Sequence, residues 1–392
     1  MPAHASLKSV RIQGYRPFGD FLARLGPLDV LAGANGSGKS SFFEFLKFLR
    51  DGLNQQIPPE IIAGSIGQQV FHSPGPERFS WNIEVELRDG LQVRYRGQLI
   101  GPVGRSRVSF EIVEEVAPIA QDGTPEVLLD AGDVAVRMWD PATGRLPEHP
   151  NKPKPVMWLG LALASDPLLL SLYNLREHIR GWRFYGALNL ALDKIRRPVP
   201  TEQDPVLRED AGNLSSVLHF LYTEHRREFD ELQQLLRSVV PGFMGLKVKA
   251  YGAPGHVIAM WQEEGVEHGL TLADLSDGIL QLICWATLCL QPNPPTLICI
   301  DEPDQGVHPR TLPVLAGLFE KASERTQLLL ATHSSYFLTQ FNISRIAVFR
   351  KENGEAKFLK PQDSKILVQN LKDFGPAEIE VMHRSDELER LA

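Results

Sequence analysis

Residues 33–40 read Gly33-Ala34-Asn35-Gly36-Ser37-Gly38-Lys39-Ser40. The stretch follows a short apolar run, residues 28–32, which predicts a buried strand. The residues after it, 41–49, carry apolar side chains at helical spacing. A glycine turn could precede Lys-Ser by chance, but the order strand, glycine loop and helix is the context in which this pattern binds phosphate. We therefore predict a P-loop.

Each residue type in this loop suits a polyphosphate. Glycines let successive backbone N–H groups curl around the anion, and the following helix directs its positive end toward it. Lys39 would supply a positive charge to the β- and γ-phosphates, and the Ser40 hydroxyl would ligate Mg²⁺. The predicted nucleotide-binding residues are Gly33, Asn35, Gly36, Ser37, Gly38, Lys39, Ser40 and Ser41.

The composition is that of an ordinary globular protein. The chain has 392 residues, 43% of them hydrophobic and 23% charged, with a formal net charge of −7. Such a charge argues against a wholly basic, nucleic-acid-coating surface, although a local basic patch could exist. The three cysteines, each within an apolar run, lack metal-ligand spacing and predict buried thiols: Cys284, Cys289 and Cys299. The chain shows neither a signal-peptide pattern nor an apolar run of membrane-spanning length, so we expect a cytoplasmic protein with no membrane partner.

Three regions follow from the patterning along the chain. Residues 1–155 contain the P-loop and several alternating runs between 79 and 139 that predict an antiparallel meander. Residues 7–14 also alternate, and with 28–32 they would form the first sheet. Five prolines make residues 140–155 a candidate linker. Residues 156–270 are predicted to be a mainly helical insert with two strands, at 246–251 and 256–262. Residues 271–392 return to alternating helices and strands.

The helical region is rich in arginine and aromatic residues. A basic, aromatic surface of this kind could bind nucleic acid. An ordinary helical face is an equally good interpretation, because acidic residues are interspersed among the basic ones. The arginines concerned are Arg176, Arg180, Arg183, Arg196, Arg197, Arg208, Arg226 and Arg227.

Two carboxylates end an apolar run further along the chain. Residues 296–300 predict a parallel strand buried on both faces, and Asp301 and Glu302 follow directly. Ligands of open α/β sheets bind at this end of the strands. Asp301 would hold Mg²⁺ through water, and Glu302 would orient or deprotonate an attacking water.

Two further segments lie near the same predicted sheet edge. In the run Leu275-Ser276-Asp277-Gly278, Ser276 is a good N-cap for the helix that follows. The segment could be only that cap, or it could also be an anion site. His333 follows the predicted strand 326–331 and is a candidate sensor of the γ-phosphate.

Taken together, these segments resemble the ABC-class ATPases, and most closely the branch with RecF, SMC proteins and OLD-type ATPases. Gly33–Ser40 resembles Walker A, Leu275–Gly278 the signature loop, and Ile300–Pro303 Walker B. The chain is also similar to the stand-alone predicted ATPases of bacteria. The resemblance implies an α/β P-loop NTPase with an ABC-type ATPase head, a β-rich first lobe and a helical insert lobe.

The same resemblance implies roles for individual residues. Glu302 and His333 would be catalytic, Ser40 and Asp301 would hold Mg²⁺, and Asp304 would lie at the D-loop. Two ATP molecules would be held between two subunits, each by one P-loop and by Ser276 and Gly278 of the other. The homodimer would serve a DNA-linked process, such as repair, chromosome maintenance or phage defence with a separately encoded nuclease or toxin effector.

Some features depart from this pattern. Asp277 stands where transport ATPases usually have glycine, and no coiled-coil heptads are present. The Q-loop has three weak candidates: Gln68, Gln69 and Gln98. The long insert argues against the alternative of a transporter nucleotide-binding subunit. A second alternative is an ATP-dependent scaffold or sensor for a toxin or nuclease, against which an intact Glu302 argues weakly.

Overall fold

Three β-sheets and the helices packed on them form the described part of the protein. The computed structural model describes residues 4–54, 57, 70–102, 106–116, 126–132, 135–140, 142–148, 158–186, 190–252, 254–365, 369, 377–384 and 387–388. In chain order the strands are β1 Ser6–Tyr15, β2 Phe18–Arg24, β3 Leu28–Ala32, β4 Arg78–Glu86, β5 Gln92–Ile100, β6 Arg107–Glu115, β7 Val127–Ala131, β8 Val136–Met138, β9 Trp182–Gly186, β10 Val199–Pro200, β11 Phe243–Ala250, β12 His256–Glu263, β13 Leu270–Thr271, β14 Leu297–Asp301, β15 Gln327–Ala331, β16 Ile346–Glu352 and β17 Glu355–Leu359. The helices are α1 Lys39–Asn54, α2 Leu170–Arg180, α3 Leu192–Ile195, α4 Leu214–Glu224, α5 Arg226–Val239, α6 Asp277–Leu290, α7 Leu312–Ala322, α8 Ser335–Leu338 and α9 Ala377–Arg384.

The predicted meander is confirmed. Seven antiparallel strands form one sheet in the order β2-β1-β4-β5-β6-β7-β8. Buried side chains alternate with more exposed ones along β4 and β5, as the period of two in the sequence requires. The prediction that β1 and β3 share a sheet is wrong, because β1 pairs with β2 and β4 whereas β3 pairs with β15 and β16.

The central sheet has six strands in the order β17-β16-β3-β15-β14-β9, all parallel except for the β16–β17 pair. Its inner strands β3, β14 and β15 are buried on both faces, as expected of a parallel sheet. On β15, Leu329 packs into the core shared with α1 and the antiparallel sheet. Its neighbours Leu328 and Leu330 pack into a second core, with α4 to α7. The P-loop helix and the signature helix α6 therefore lie on opposite faces of one sheet.

The region 156–270 contains the predicted helices, the two predicted strands and further strands that were not predicted. β11 and β12 form a small sheet with β10 and β13, and α4 packs on it. β9 was not predicted, and it joins the central sheet beside β14, where Trp182 is opposite Leu297. The three-region division stays a prediction, and the proline-rich segment 140–155 lies partly outside the described residues.

The arginine-rich face is largely engaged within the chain. Arg176 donates to the Ala162 carbonyl at 3.1 Å and pairs with Glu177. Arg180 bonds to the same glutamate at 2.9 Å. Arg183 donates to two backbone carbonyls at 2.8 and 2.9 Å. Arg176, Arg180 and Arg183 therefore form part of a packed helical face rather than a free phosphate-binding surface.

All three cysteines are buried in the core and free of disulfides, as predicted. Cys284 and Cys289 lie in α6, and Cys299 lies in β14. Burial raises the pKa of each thiol, which favours the neutral form. These residues are structural rather than reactive.

Candidate nucleotide-binding and hydrolysis site

The P-loop joins β3 to α1, as predicted. Gly33, Gly36 and Gly38 have φ angles of 145°, 74° and 115°, which favour glycine. At Gly33 a Cβ atom would lie 2.3 Å from the Phe349 carbonyl oxygen, so a side chain here would collide with β16. The loop is therefore shaped both by its own conformation and by the neighbouring strand.

Lys39 begins α1, and its side chain folds back over the loop. The amine donates to the carbonyls of Gly33 at 2.6 Å and Ala34 at 3.2 Å. Only 4% of the residue is exposed. The amine is thus held inside the loop, where oxygens of a bound polyphosphate could replace carbonyl oxygens as its acceptors.

Ser40 and Asp301 lie side by side although 261 positions separate them in the chain. The Ser40 hydroxyl is 3.4 Å from Asp301 Oδ2. A hydroxyl and a carboxylate are oxygen ligands of the kind that Mg²⁺ prefers, so these two residues fit the ion. Burial raises the pKa of Asp301, while Lys39 and the Ser40 bond oppose the shift. A bound cation would further favour the ionised carboxylate.

Glu302 follows Asp301 in an uncommon backbone conformation. Its φ is 54°, a region that few residues other than glycine occupy. Its N–H donates to the Ala331 carbonyl at 2.8 Å, which ties the residue to the end of β15. Burial, with Asp304 and Asp301 nearby, raises the pKa of Glu302 to about 7. Strained backbone at such a position is typical of a functional residue, and this pKa suits a general base.

His333 lies directly beside this carboxylate. Its Nε2 is 3.4 Å from Glu302 Oε1. Burial, followed by the positive charge of Lys39, lowers the pKa of His333, so the ring is neutral at pH 7. A neutral imidazole can donate one hydrogen bond and accept another, which suits the orientation of a water or a phosphate oxygen.

Asp304 is anchored by a residue that the sequence analysis did not single out. The Thr332 hydroxyl donates to Asp304 Oδ1 at 2.7 Å, and Thr332 is fully buried. The Thr332 hydroxyl oxygen also accepts a hydrogen bond from the Ser334 N–H at 3.0 Å. Thr332 therefore connects the loop after β14 to the turn that carries His333. The only signal in the sequence was its place immediately before that histidine.

The segment around Ser276 lies at the start of α6. The Ser276 hydroxyl accepts from the Ile279 N–H at 3.4 Å, so the predicted helix cap is confirmed. A Cβ atom on Gly278 would lie 2.3 Å from the Gly306 carbonyl oxygen, because the helix start packs against the loop after Glu302. Among the described residues, Ser276 makes no hydrogen bond to the P-loop of its own chain. Ser276 remains exposed at the surface.

The turn between β1 and β2 lies beside the P-loop. Arg16, in the turn between β1 and β2, pairs with Glu44 on α1, and Phe18 lies close beside Gly38. Of the Q-loop candidates, Gln98 lies within β5, and Gln68 and Gln69 lie outside the described residues.

A known protein family matches the part of the chain that carries most of these site residues. The sequence profile described as "AAA domain, putative AbiEii toxin, Type IV TA system" matches residues 142–339, half of the chain. The chain belongs to this AAA-domain family. The matched segment contains Ser276, Asp301, Glu302 and His333, and the P-loop precedes it.

Solved structures show the fold of this AAA-domain protein. An SMC head solved with the C-terminal winged-helix domain of ScpA matches with a TM-score of 0.55 at 13% identity, over 90% of this chain and 96% of that one. An SMC head with an extended coiled coil, bound to a ScpA domain derived from Pyrococcus furiosus, matches with a TM-score of 0.52 at 12% identity, over 94% and 100%. The protein therefore has the fold of an SMC head, which is an α/β P-loop ATPase fold.

No curated protein sequence matches the chain. Across the described residues, no helix is both long enough and apolar enough to cross a bilayer.

Proposed function

We propose that the protein binds ATP with Mg²⁺ and hydrolyses it in a dimer that encloses two nucleotides. One observation carries this proposal: Ser40, Asp301, Glu302 and His333 converge beside the P-loop, and Glu302 has a pKa of about 7. A phosphate-binding loop next to a general base is the arrangement that phosphoryl transfer to water requires.

Each residue has a defined task in the proposed reaction. Loop amides and Lys39 hold the β- and γ-phosphates, and Ser40 with Asp301 would hold Mg²⁺, which neutralises developing negative charge. Glu302 takes a proton from the water that attacks the γ-phosphorus, while the bond to the β-phosphate oxygen breaks. His333 orients the attacking water or a γ-phosphate oxygen. ADP and inorganic phosphate are the products.

The second subunit supplies the other side of each site. Ser276 is exposed at the positive end of α6, a 14-residue helix, and it does not bond to its own P-loop. A helix start of this kind suits the γ-phosphate held by another chain. The proposed dimer therefore contains two composite sites, in agreement with the resemblance to ABC-class ATPases.

Ser276→Arg tests the composite site. If Ser276 only caps α6, the change costs about 1 kcal/mol of stability and leaves ATP hydrolysis nearly unchanged. If Ser276 faces the partner's γ-phosphate, we expect normal nucleotide affinity, a monomer in the presence of ATP, and loss of hydrolysis. Titration with a fluorescent ATP analogue, sedimentation and phosphate release measure these three properties.

Ser238→Arg is the matched control, because Ser238 is an exposed helical serine near the end of α5. A Ser276→Arg protein that still dimerises and hydrolyses ATP would contradict the two-subunit mechanism. Mixing Ser276→Arg with Lys39→Ala chains adds a second check. One composite site would carry both defects and the other neither, so at most one site per dimer should turn over.

The pH dependence of hydrolysis should follow Glu302. A general base acts only when ionised, and the pKa of this carboxyl is raised to about 7 in the nucleotide-free protein. The value of kcat/KM should therefore be high above pH 7 and fall about tenfold per unit as pH decreases below 7. Glu302→Gln removes the group, so its residual activity should lack this step. A flat profile from pH 5.5 to 8 would assign the proton transfer elsewhere.

The process that the ATPase serves is proposed as DNA-linked, in the cytoplasm, by analogy with the RecF and SMC branch. A second candidate is control of a toxin or nuclease, because the description of the matched family names a toxin and a toxin–antitoxin system. The two candidate processes can be distinguished by expressing the wild-type protein, or Glu302→Gln, together with the neighbouring genes. Growth arrest that depends on the ATP-bound state favours the toxin candidate, and sensitivity to DNA damage favours the DNA-linked one.

A further inference from the structure

An arginine from the helical region lies against the segment that contains Ser276. Arg196 caps the C-terminal end of α3, and its Nη2 donates to Asp277 Oδ1 at 2.7 Å. The same nitrogen is 3.3 Å from the Leu275 carbonyl oxygen. The guanidinium therefore contacts the residues on both sides of Ser276 and joins α3 to the start of α6.

The surroundings of this guanidinium fix its position. Its Nε is buried and has no hydrogen-bond partner in the described part of the chain. The Arg196 side chain is 30% exposed, whereas that of Asp277 is 62% exposed. Asp277 is thus the outer member of the pair, on the side where a second subunit would approach.

Asp277 creates an electrostatic problem for the proposed dimer. As the first residue of α6, its carboxylate interacts favourably with the positive end of the helix. Next to a partner's triphosphate the same carboxylate would repel the nucleotide and weaken closure. An adjacent arginine, which is always charged, removes most of that repulsion.

We propose that Arg196 is a positioning residue that neutralises Asp277 and holds the Leu275–Gly278 segment in shape to receive the γ-phosphate of a second copy of this chain. The proposal rests on the two-subunit function above. It extends the composite site to the helical region, whose Arg196 offsets the negative charge of Asp277 beside the partner's nucleotide. The alternative is a surface ion pair that merely fastens α3 to α6, and such pairs contribute little.

The test measures dimerisation in ATP and Mg²⁺ by sedimentation equilibrium, with Glu302→Gln as the starting protein so that ATP is retained. Adding Arg196→Gln should weaken the dimer about tenfold or more, equivalent to roughly 1.4 kcal/mol. ATP affinity of the monomer should stay within about twofold, because the change is remote from the P-loop. Lys194→Gln is the matched control, since Lys194 lies in α3, two residues before Arg196, and forms an ion pair of its own with Asp210 at 2.9 Å.

The decisive comparison repeats Arg196→Gln in an Asp277→Asn background. With no carboxylate to neutralise, the loss of Arg196 should change the dimer dissociation constant by less than about twofold. A loss of the same size in both backgrounds would overturn the neutralising role, as would an Arg196→Gln protein that dimerises normally. If Glu302→Gln itself stays monomeric in ATP, the proposed two-subunit function fails, and this inference fails with it. The first measurement therefore tells the two failures apart.

Discussion

Replacing Glu302 with Gln is expected to lower ATP turnover by about 10² to 10⁴-fold, the usual contribution of a general base. Glutamine keeps the size and a hydrogen-bonding oxygen of the side chain, so His333 retains a partner at the 3.4 Å position. ATP and Mg²⁺ binding should persist, because Lys39, Ser40 and Asp301 are unchanged. The variant should therefore accumulate as an ATP-bound dimer.

Single-turnover hydrolysis and size-exclusion chromatography with ATP measure these two effects. Glu320→Gln is the control, because Glu320 is an exposed glutamate on α7. Turnover within a few fold of wild type would remove Glu302 from the role of base and make His333 the next residue to test.

Lys39→Ala should weaken ATP binding by roughly a hundredfold or more. The amine is buried in the loop and now bonds to two carbonyl oxygens 2.6 and 3.2 Å away. Charge-assisted hydrogen bonds contribute about 1.5–3 kcal/mol each, and two lost bonds to phosphate would account for this reduction. Calorimetric titration with a slowly hydrolysed ATP analogue gives the affinity directly.

Lys47→Ala serves as the control, since Lys47 is exposed on the same helix. Thermal unfolding of both variants shows whether the fold survives. A Lys39→Ala protein that is folded and binds ATP within a few fold of wild type would contradict the P-loop assignment.

Sequence patterns predicted most of the elements that surround the nucleotide. β3, β14 and β15 were anticipated within one residue of their observed bounds, and the positions of α1 and α6 were anticipated without their full length. Each is a continuous apolar or amphipathic segment whose period reflects local geometry alone. The order of these segments also predicted that Asp301 and His333 would meet at one edge of the sheet, because parallel strands bring their ends together.

Pairings between distant segments could not be predicted in this way. β9 has five residues, an arginine at its second position and helical segments on either side, so it lacks a clear period. It is a strand because β14, more than 100 residues later, provides its partner. Likewise, β1 and β3 are close in sequence, but each pairs with a strand from elsewhere in the chain.

Within the site, residue identity was predictable but conformation was not. The positive φ of Glu302 depends on its bond to Ala331, and the position of Asp304 depends on the Thr332 hydroxyl. Each contact joins the segment after β14 to the end of β15. Neither local propensity nor motif spacing predicts such a contact between two strands. The contact between Arg196 and Asp277, 81 positions apart, was hidden for the same reason.

The close approach of Gly278 to Gly306 has a consequence for communication between subunits. With room for no more than a hydrogen atom on Gly278, the start of α6 cannot shift without displacing the loop that carries Asp304. In the proposed dimer, one end of this rigid unit faces the neighbour's ATP, and the other borders the chain's own catalytic carboxylates. In such a dimer, occupancy of one nucleotide site would be transmitted to the other within a single polypeptide, so the two ATP molecules would act as allosteric effectors of each other.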